Sequence, residues 1–188
     1  MPIVPCSKAE RILVIIGPSG TGKSNLVEKL VKNHVVFLQR SHTTRPHRQN
    51  DDDTSHIFVT DPVFARMFER HDFLDTVQPF GLPYQYGMMP LQSCPPLVTV
   101  ILMRSFVIDL VIKHYPKAVV YQLEVPVEVA EQRLSSRGHE LGTRLEQYES
   151  ELNLGRQYAK RVFVSDGVTD VYKKVLKAIE ADFNNTLN

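Results

Sequence analysis

The run Gly17-Pro-Ser-Gly-Thr-Gly-Lys23-Ser24 directly follows Arg11-Ile-Leu-Val-Ile-Ile16 and directly precedes Leu26, Val27, Leu30 and Val31, which recur at helical spacing. A continuous, β-branched apolar run ended by Gly-Pro is how a strand buried on both faces of a parallel sheet reads. The chain is therefore committed early to strand, glycine-rich turn and a helix from about Lys23 to Asn33. The turn fits G-x-x-x-x-G-K-[ST] throughout. Its glycines let backbone N–H groups turn inward around phosphate oxygens, and the helix aims its positive end at the same point. Lys23 can reach the β and γ phosphates, while the Ser24 hydroxyl suits Mg²⁺. The expectation is a nucleoside triphosphate, ATP first, with Mg²⁺, held by Gly17, Pro18, Ser19, Gly20, Thr21, Gly22, Lys23 and Ser24.

The same alternation continues. Strands are expected at His34 to Leu38, Val98 to Leu102, Ala118 to Leu123 and Arg161 to Val164. Helices are expected over Phe106 to Tyr115, from Pro126 to Gly138, over Leu145 to Tyr158 and over Val168 to Phe183. Alternating apolar strands and amphipathic helices predict an α/β sandwich with a mainly parallel sheet. The stretch Ser41 to Tyr86 breaks the rhythm. It opens as polar loop, gives a brief strand at Ile57-Phe-Val59 and a helix capped by Asp61 with Pro62 in its first turn. A strand at Phe73 to Val77 and a turn over Gly81 to Gly87 follow. It reads as a small subdomain inserted beside the core.

Composition narrows the class without choosing an activity. With 188 residues and 43% hydrophobic content, one domain can bury about 70% of its unfolded surface without a disulfide or structural metal. The 22 Lys+Arg against 21 Asp+Glu argue against a general nucleic-acid or membrane-surface binder. No apolar run nears the roughly 18 residues of a membrane span, and Ile12 to Ile16 is too short for a signal-peptide core. Cys6 and Cys94 lack metal-type spacing and read as free thiols in a reducing compartment, the alternative being a single long-loop disulfide. The expected setting is cytoplasmic. Asp51-Asp-Asp53 reads as a solvated turn and the seven His are scattered, so no structural metal is assigned.

Ser41-His-Thr-Thr-Arg45-Pro-His-Arg48 sets two arginines three apart in a loop with three hydroxyl residues. Such a loop can clamp a phosphate dianion through bidentate guanidiniums. A solvated basic loop would have the same composition, and spacing alone does not choose between them.

The order Gly17 to Ser24, Ser41 to Arg48, His56-Ile-Phe-Val59, Phe73-Leu-Asp75 and Tyr84-Gln-Tyr86-Gly87 resembles the guanylate kinase family over almost the whole chain. That resemblance implies a P-loop three-layer sandwich with a core of about 10–40 and 96–188, an acceptor-binding insertion of about 41–90 and a helical lid of about 133–156. It implies transfer of the ATP γ-phosphoryl group to GMP. Ser41, Arg45, Arg48 and Tyr86 would hold the acceptor phosphate, with His56 where the family has a tyrosine. Asp75 stands where the family reads the guanine edge with a glutamate. Arg133, Arg137 and Arg144 look like lid arginines, which stabilise the charge on the moving phosphoryl group. Ser165-Asp166 resembles the family's pair near the adenine.

Departures cluster on the acceptor side. Met88 replaces a hydroxyl residue after the Tyr-Gly turn, and the third apolar strand runs into Arg104-Ser105 where family members carry a D-x-D-like pair. Arg104-Ser105 is also similar to the ribose 1,5-bisphosphate phosphokinases, which supplies one alternative acceptor. A non-catalytic phospho-ligand binding module is the other reading. That module would recognise a phosphorylated partner through Arg45, Arg48 and Tyr86, whereas in a phosphotransferase Lys23, Arg45, Arg48, Arg133, Arg137 and Arg144 are expected to converge on one phosphate-filled cleft, with a small molecule rather than nucleic acid as partner.

Overall fold

The structure, a computed structural model, describes residues 4–5, 11–47, 55–78, 83–93, 96–136, 147–166 and 171–183. Its centre is β2 (Ile12–Ile16), whose five side chains are all buried. Burying one such side chain contributes about 1.5–3 kcal/mol, so the strand is firmly anchored where its loop begins. Around β2 lie β3 (Val36–Leu38), β9 (Val98–Leu102), β10 (Val119–Glu124) and β11 (Arg161–Val164), in the order β11-β10-β2-β9-β3, every pair parallel. A two-residue strand β1 (Val4–Pro5) pairs with β8 (Gln92–Ser93) at one margin.

Alternation along β2 feeds two cores. Leu13 and Ile15 pack with Leu26, Val27 and Leu30 of α1 (Lys23–Lys32) and with Val175, Ile179 and Phe183 of the C-terminal helix α6 (Tyr172–Phe183). Ile12, Val14 and Ile16 pack on the opposite face with Ile108 and Val111 of α3 (Ile108–His114). A third cluster joins Val125 and Ala130 to Tyr148 and Leu152, and so seats α4 (Val127–Ser135) against α5 (Tyr148–Tyr158). The result is a three-layer α/β sandwich with a mainly parallel sheet. No helix among the described residues is long and apolar enough to cross a membrane.

Between β3 and β9 the chain builds a second sheet from β4 (Ser41–Thr43), β5 (His56–Phe58), β6 (Asp75–Val77) and β7 (Tyr86–Met88), in the order β5-β4-β7-β6. Helix α2 (Asp61–Glu69) supports it through Phe64, whose ring lies 4.6 Å from that of Phe73. Two of these strands fall where the sequence predicts only loop or turn. The β4 segment is polar, and what makes it a strand is pairing with β5 and β7, both remote in sequence. Boundaries shift elsewhere. The α2 cap is Thr60, with Asp61 in the first turn, where a carboxylate meets the positive helix end. The segment after β9 begins as a 3-10 turn at Ser105–Val107 before α3.

Candidate active site

The loop after β2 takes its shape from glycines that no other residue could replace. Gly17 has φ +144°, and a Cβ there would stand 2.5 Å from the Leu123 carbonyl oxygen. Gly20 has φ +88°, and its Cβ would meet backbone atoms of Ala130 at 2.9–3.0 Å. Both conformations lie in the region that L side chains rarely adopt. Thr21 Oγ1 donates to the Pro18 carbonyl at 2.9 Å and fixes the turn. Lys23 Nζ folds back to donate to the carbonyls of Gly17 (2.7 Å) and Pro18 (2.8 Å).

Lys23 titrates low, at about 8: burial is the largest cause, Glu151 opposes it and Arg104 adds to it. An ammonium with so depressed a pKa sits in a loop that favours the arrival of negative charge. Arg133, projecting from α4, joins the same loop, its Nη1 donating to the Gly20 carbonyl at 3.0 Å. Lys23 and Arg133 thus both bond carbonyls of this one loop. Arg48, Arg137 and Arg144, and with them the Asp51-Asp-Asp53 turn, lie outside the described residues. Ser165 is buried just past β11, its N–H donating to the Glu124 carbonyl at 2.9 Å, and Asp166 beside it is exposed.

The acceptor candidates come from the second sheet, and its register puts them on one face. Ser41 pairs with His56, Thr43 with Phe58 and Tyr86, and Asp75 with Met88. Directly paired residues point the same way, so Ser41, His56, Tyr86 and Asp75 share a surface with Met88 and Phe58. Ser41 Oγ and His56 Nδ1 share a 2.8 Å hydrogen bond, and the His56 and Tyr86 rings meet edge-on at 5.6 Å. The opposite face carries His42 and Gly87, packed on Phe73. Burial and the nearby Arg40 lower the His42 pKa, in keeping with a neutral ring on that inner side.

Arg45 continues from β4, largely buried, with its guanidinium 5.1 Å over the Phe58 ring. It borders an open cleft of about 450 Å³ lined further by Thr44, His47 and Phe58. The neighbouring hydroxyls order this segment: Thr43 Oγ1 donates to the Gln85 carbonyl (2.9 Å) and accepts from the Arg45 N–H (3.1 Å), while Thr44 Oγ1 accepts from the Gln85 N–H (3.0 Å). Asp75 lies near the junction with the core, its Oδ2 3.9 Å from His114 Nε2 of α3.

Sequence reading missed one pair. Glu151 of α5, wholly buried, accepts from Arg104 Nε at 2.8 and 2.6 Å through its two oxygens and from the Ser105 N–H at 3.0 Å. A signal for it exists: Glu151 shares the helical face of Tyr148, Leu152 and Gly155, all buried, and an acid on an apolar stripe calls for a partner.

Among the described residues no cluster of three His, Cys, Asp or Glu could cage a metal. Mg²⁺ needs no such cage, since it keeps several waters and binds through one or two protein oxygens plus substrate phosphates. The exposed Ser24 hydroxyl, in the first turn of α1 beside Lys23, fits that sparse set.

A family model described as guanylate kinase matches residues 9–89. A guanylate kinase of Clostridium perfringens is 30% identical, the match covering 87% of this chain and 80% of that one. A guanylate kinase of Rhodopirellula baltica is 28% identical over 91% of this chain and 92% of its own length. In fold, the chain is similar to a crystal structure of guanylate kinase from Anaplasma phagocytophilum, with a TM-score of 0.69 at 18% identity, covering 94% of this chain and 87% of the other.

Proposed function

The chain belongs to the guanylate kinase family, and from that premise we propose that it transfers the γ-phosphoryl group of ATP to GMP, giving GDP and ADP. One observation carries the reading: a glycine cradle holding Lys23 and Arg133 occurs in the same domain as a sheet face bearing Ser41, His56, Tyr86 and Asp75. The first suits the phosphates of a nucleoside triphosphate. The second suits a phosphorylated nucleoside with a polar base edge.

In this mechanism the backbone N–H groups of Gly17 to Ser24 hold the ATP phosphates, and Lys23 leaves the Gly17 and Pro18 carbonyls to follow the γ-phosphoryl group. Arg45, Ser41 and Tyr86 orient the GMP phosphate, with Arg48 beside them in sequence, while Asp75 accepts from the guanine edge. A GMP phosphate oxygen attacks in line, and Arg133, with Arg137 and Arg144, neutralises the charge spread over the equatorial oxygens. Ser24 would hold Mg²⁺, which would supply charge neutralisation between the phosphates. Ser165 and Asp166 would lie against the adenine. Positioning and charge account for the acceleration, with no covalent intermediate. We further propose a cytoplasmic setting, in keeping with two isolated cysteines of no metal-type spacing.

The test is ADP release with GMP, dGMP, AMP, UMP and ribose 1,5-bisphosphate as acceptors. GMP is expected to be the preferred acceptor. Activity with ribose 1,5-bisphosphate and none with GMP would overturn the proposed acceptor, and ATP binding with no turnover on any of the five would overturn the enzyme.

A further inference from the structure

Strands β2 and β9 run in parallel with Ile15 beside Leu102, and the Met103 N–H donates to the Ile15 carbonyl at 3.2 Å. Continuing that register sets Arg104 level with Gly17, at the carboxyl edge of the sheet, where open α/β sheets receive their ligands. Its side chain reaches into the phosphate loop, with Nη1 3.5 Å from Ser19 Oγ. The other edge of the guanidinium is clamped by Glu151: Nε bridges both carboxylate oxygens, and Nη2 pairs with Oε2. Lys23 feels both charges, in opposite senses.

The pair is asymmetric. The Glu151 side chain has no exposure, whereas that of Arg104 is 24% exposed. A buried ion pair is a poor strut, because apolar residues of similar volume usually hold two elements together as well or better. What the pair does provide is a guanidinium whose orientation is fixed from behind. Such a planar fork, held on one edge and presented on the other, suits a phosphate oxygen. Sequence comparison alone reads Arg104 as the loss of strand carboxylates. Its geometry reads as the gain of a fixed cation.

Building on the nucleotide-site reading above, we propose that Arg104 contacts a phosphate oxygen of the bound nucleoside triphosphate through Nη1, and that Glu151 is the positioning residue that aims it. Arg104 then adds a third cation to Lys23 and Arg133 at the loop, contributed from the segment just past β9.

The experiment is calorimetric titration of Mg²⁺-ATP and, separately, GMP into wild type, Arg104→Lys and the double variant Arg104→Met/Glu151→Leu, with melting temperatures recorded alongside. The double variant removes both charges, so net charge is unchanged and neither partner is left buried alone. It is expected to melt at or above the wild-type temperature, to bind Mg²⁺-ATP at least tenfold more weakly and to bind GMP as wild type does. Arg104→Lys keeps an ion pair with Glu151 but loses the second edge, and is expected to weaken Mg²⁺-ATP at least fivefold with GMP unchanged. It reads the same contact should the double variant not fold. Unchanged Mg²⁺-ATP affinity in a folded variant overturns the proposal and leaves the pair a strut. Equal weakening of Mg²⁺-ATP and GMP overturns it as well. Wild type that binds ATP yet leaves GMP unphosphorylated overturns the function proposed above and not this contact.

Discussion

Asp75 and Met88 stand directly opposite each other across the β6–β7 ladder, with Asp75 facing His114 of α3 and Met88 packed against the core cluster of Ile12, Val14 and Ile101. Met88, which the family resemblance sets at the place of a hydroxyl residue, is thus the immediate neighbour of the carboxylate proposed to read the base. Met88→Ser restores a hydrogen-bonding group beside Asp75, worth about 1 kcal/mol. The KM for GMP should fall about fivefold with kcat little changed. Removing Met88 from its apolar contacts should also cost about 2 kcal/mol of stability. Steady-state kinetics and thermal melting read the two effects separately; an unchanged or higher KM would remove Met88 from the acceptor site.

Arg45 tests the acceptor phosphate. Arg45→Lys keeps the charge and much of the packing over Phe58 but gives up the bidentate fork. The KM for GMP should rise about tenfold, equivalent to roughly 1.4 kcal/mol, while that for ATP stays within about twofold. Equal changes in both constants would show that Arg45 does not distinguish the two nucleotides.

The low pKa of Lys23, about 8 and caused chiefly by burial, gives ATP binding a pH signature. Phosphate next to the ammonium favours the charged form and raises its pKa. Above about pH 8 the free protein has shed this proton and the complex has regained it, so binding takes up a proton and affinity falls as pH rises. Below that value both states are protonated and the dependence vanishes. For the free protein the sign is opposite: between about 8 and the unfolded value the unfolded chain binds more protons, so this group makes folding more favourable as pH rises. Titration in buffers of different ionisation enthalpy measures the uptake, and Lys23→Met should abolish it together with phosphoryl transfer.

Asp182 of α6 accepts from Arg161 Nε and Nη2 at 2.7 Å each and from Tyr121 Oη at 2.8 Å, with Lys160 Nζ at 2.9 Å. Arg161 above all, then Lys160 and Tyr121, hold its carboxyl well below the usual range against the opposing effect of burial. A depressed carboxylate stabilises the fold fully above its unfolded pKa, near 4, and loses that contribution as pH falls toward the folded value. Asp182→Asn should cost about 2 kcal/mol at neutral pH and flatten the loss of stability below pH 4. A melting curve as steep in acid as that of wild type would exclude Asp182 as its source.

The phosphate loop, β2 and α1 were legible in the sequence because their requirements are local: buried-strand composition, a fixed glycine spacing and a helical apolar stripe. The second sheet was only half legible. Asp75 stood on a strand that could be read and His56 directly before one, but β4 and β7 exist through pairing across more than forty residues, which no local period records. The shared face of Ser41, His56, Tyr86 and Asp75 is a property of that register. Arg104 and Glu151 were illegible as a pair for the same reason, being 47 residues apart and joined only when α5 packs on the end of β9.

Gly155 offers the sharpest separation of local from tertiary causes. It lies inside α5, where replacement by Ala would ordinarily stabilise a helix by about 1 kcal/mol. Here a Cβ would stand 2.0 Å from Gln122 Oε1 and 2.7 Å from Ser105 Oγ. Gln122 is fully buried and donates through Nε2 to Glu124 Oε1 at 2.7 Å and to the Leu152 carbonyl at 3.0 Å, so it has little room to withdraw. Gly155→Ala is therefore expected to destabilise by about 2 kcal/mol through overpacking, despite its helical propensity. Combining it with Gln122→Ala should cost less than the sum of the two single changes, because the second removes the atom the first collides with. Urea denaturation of the four proteins measures this coupling; a stabilising Gly155→Ala would mean that α5 does not sit this close to β10.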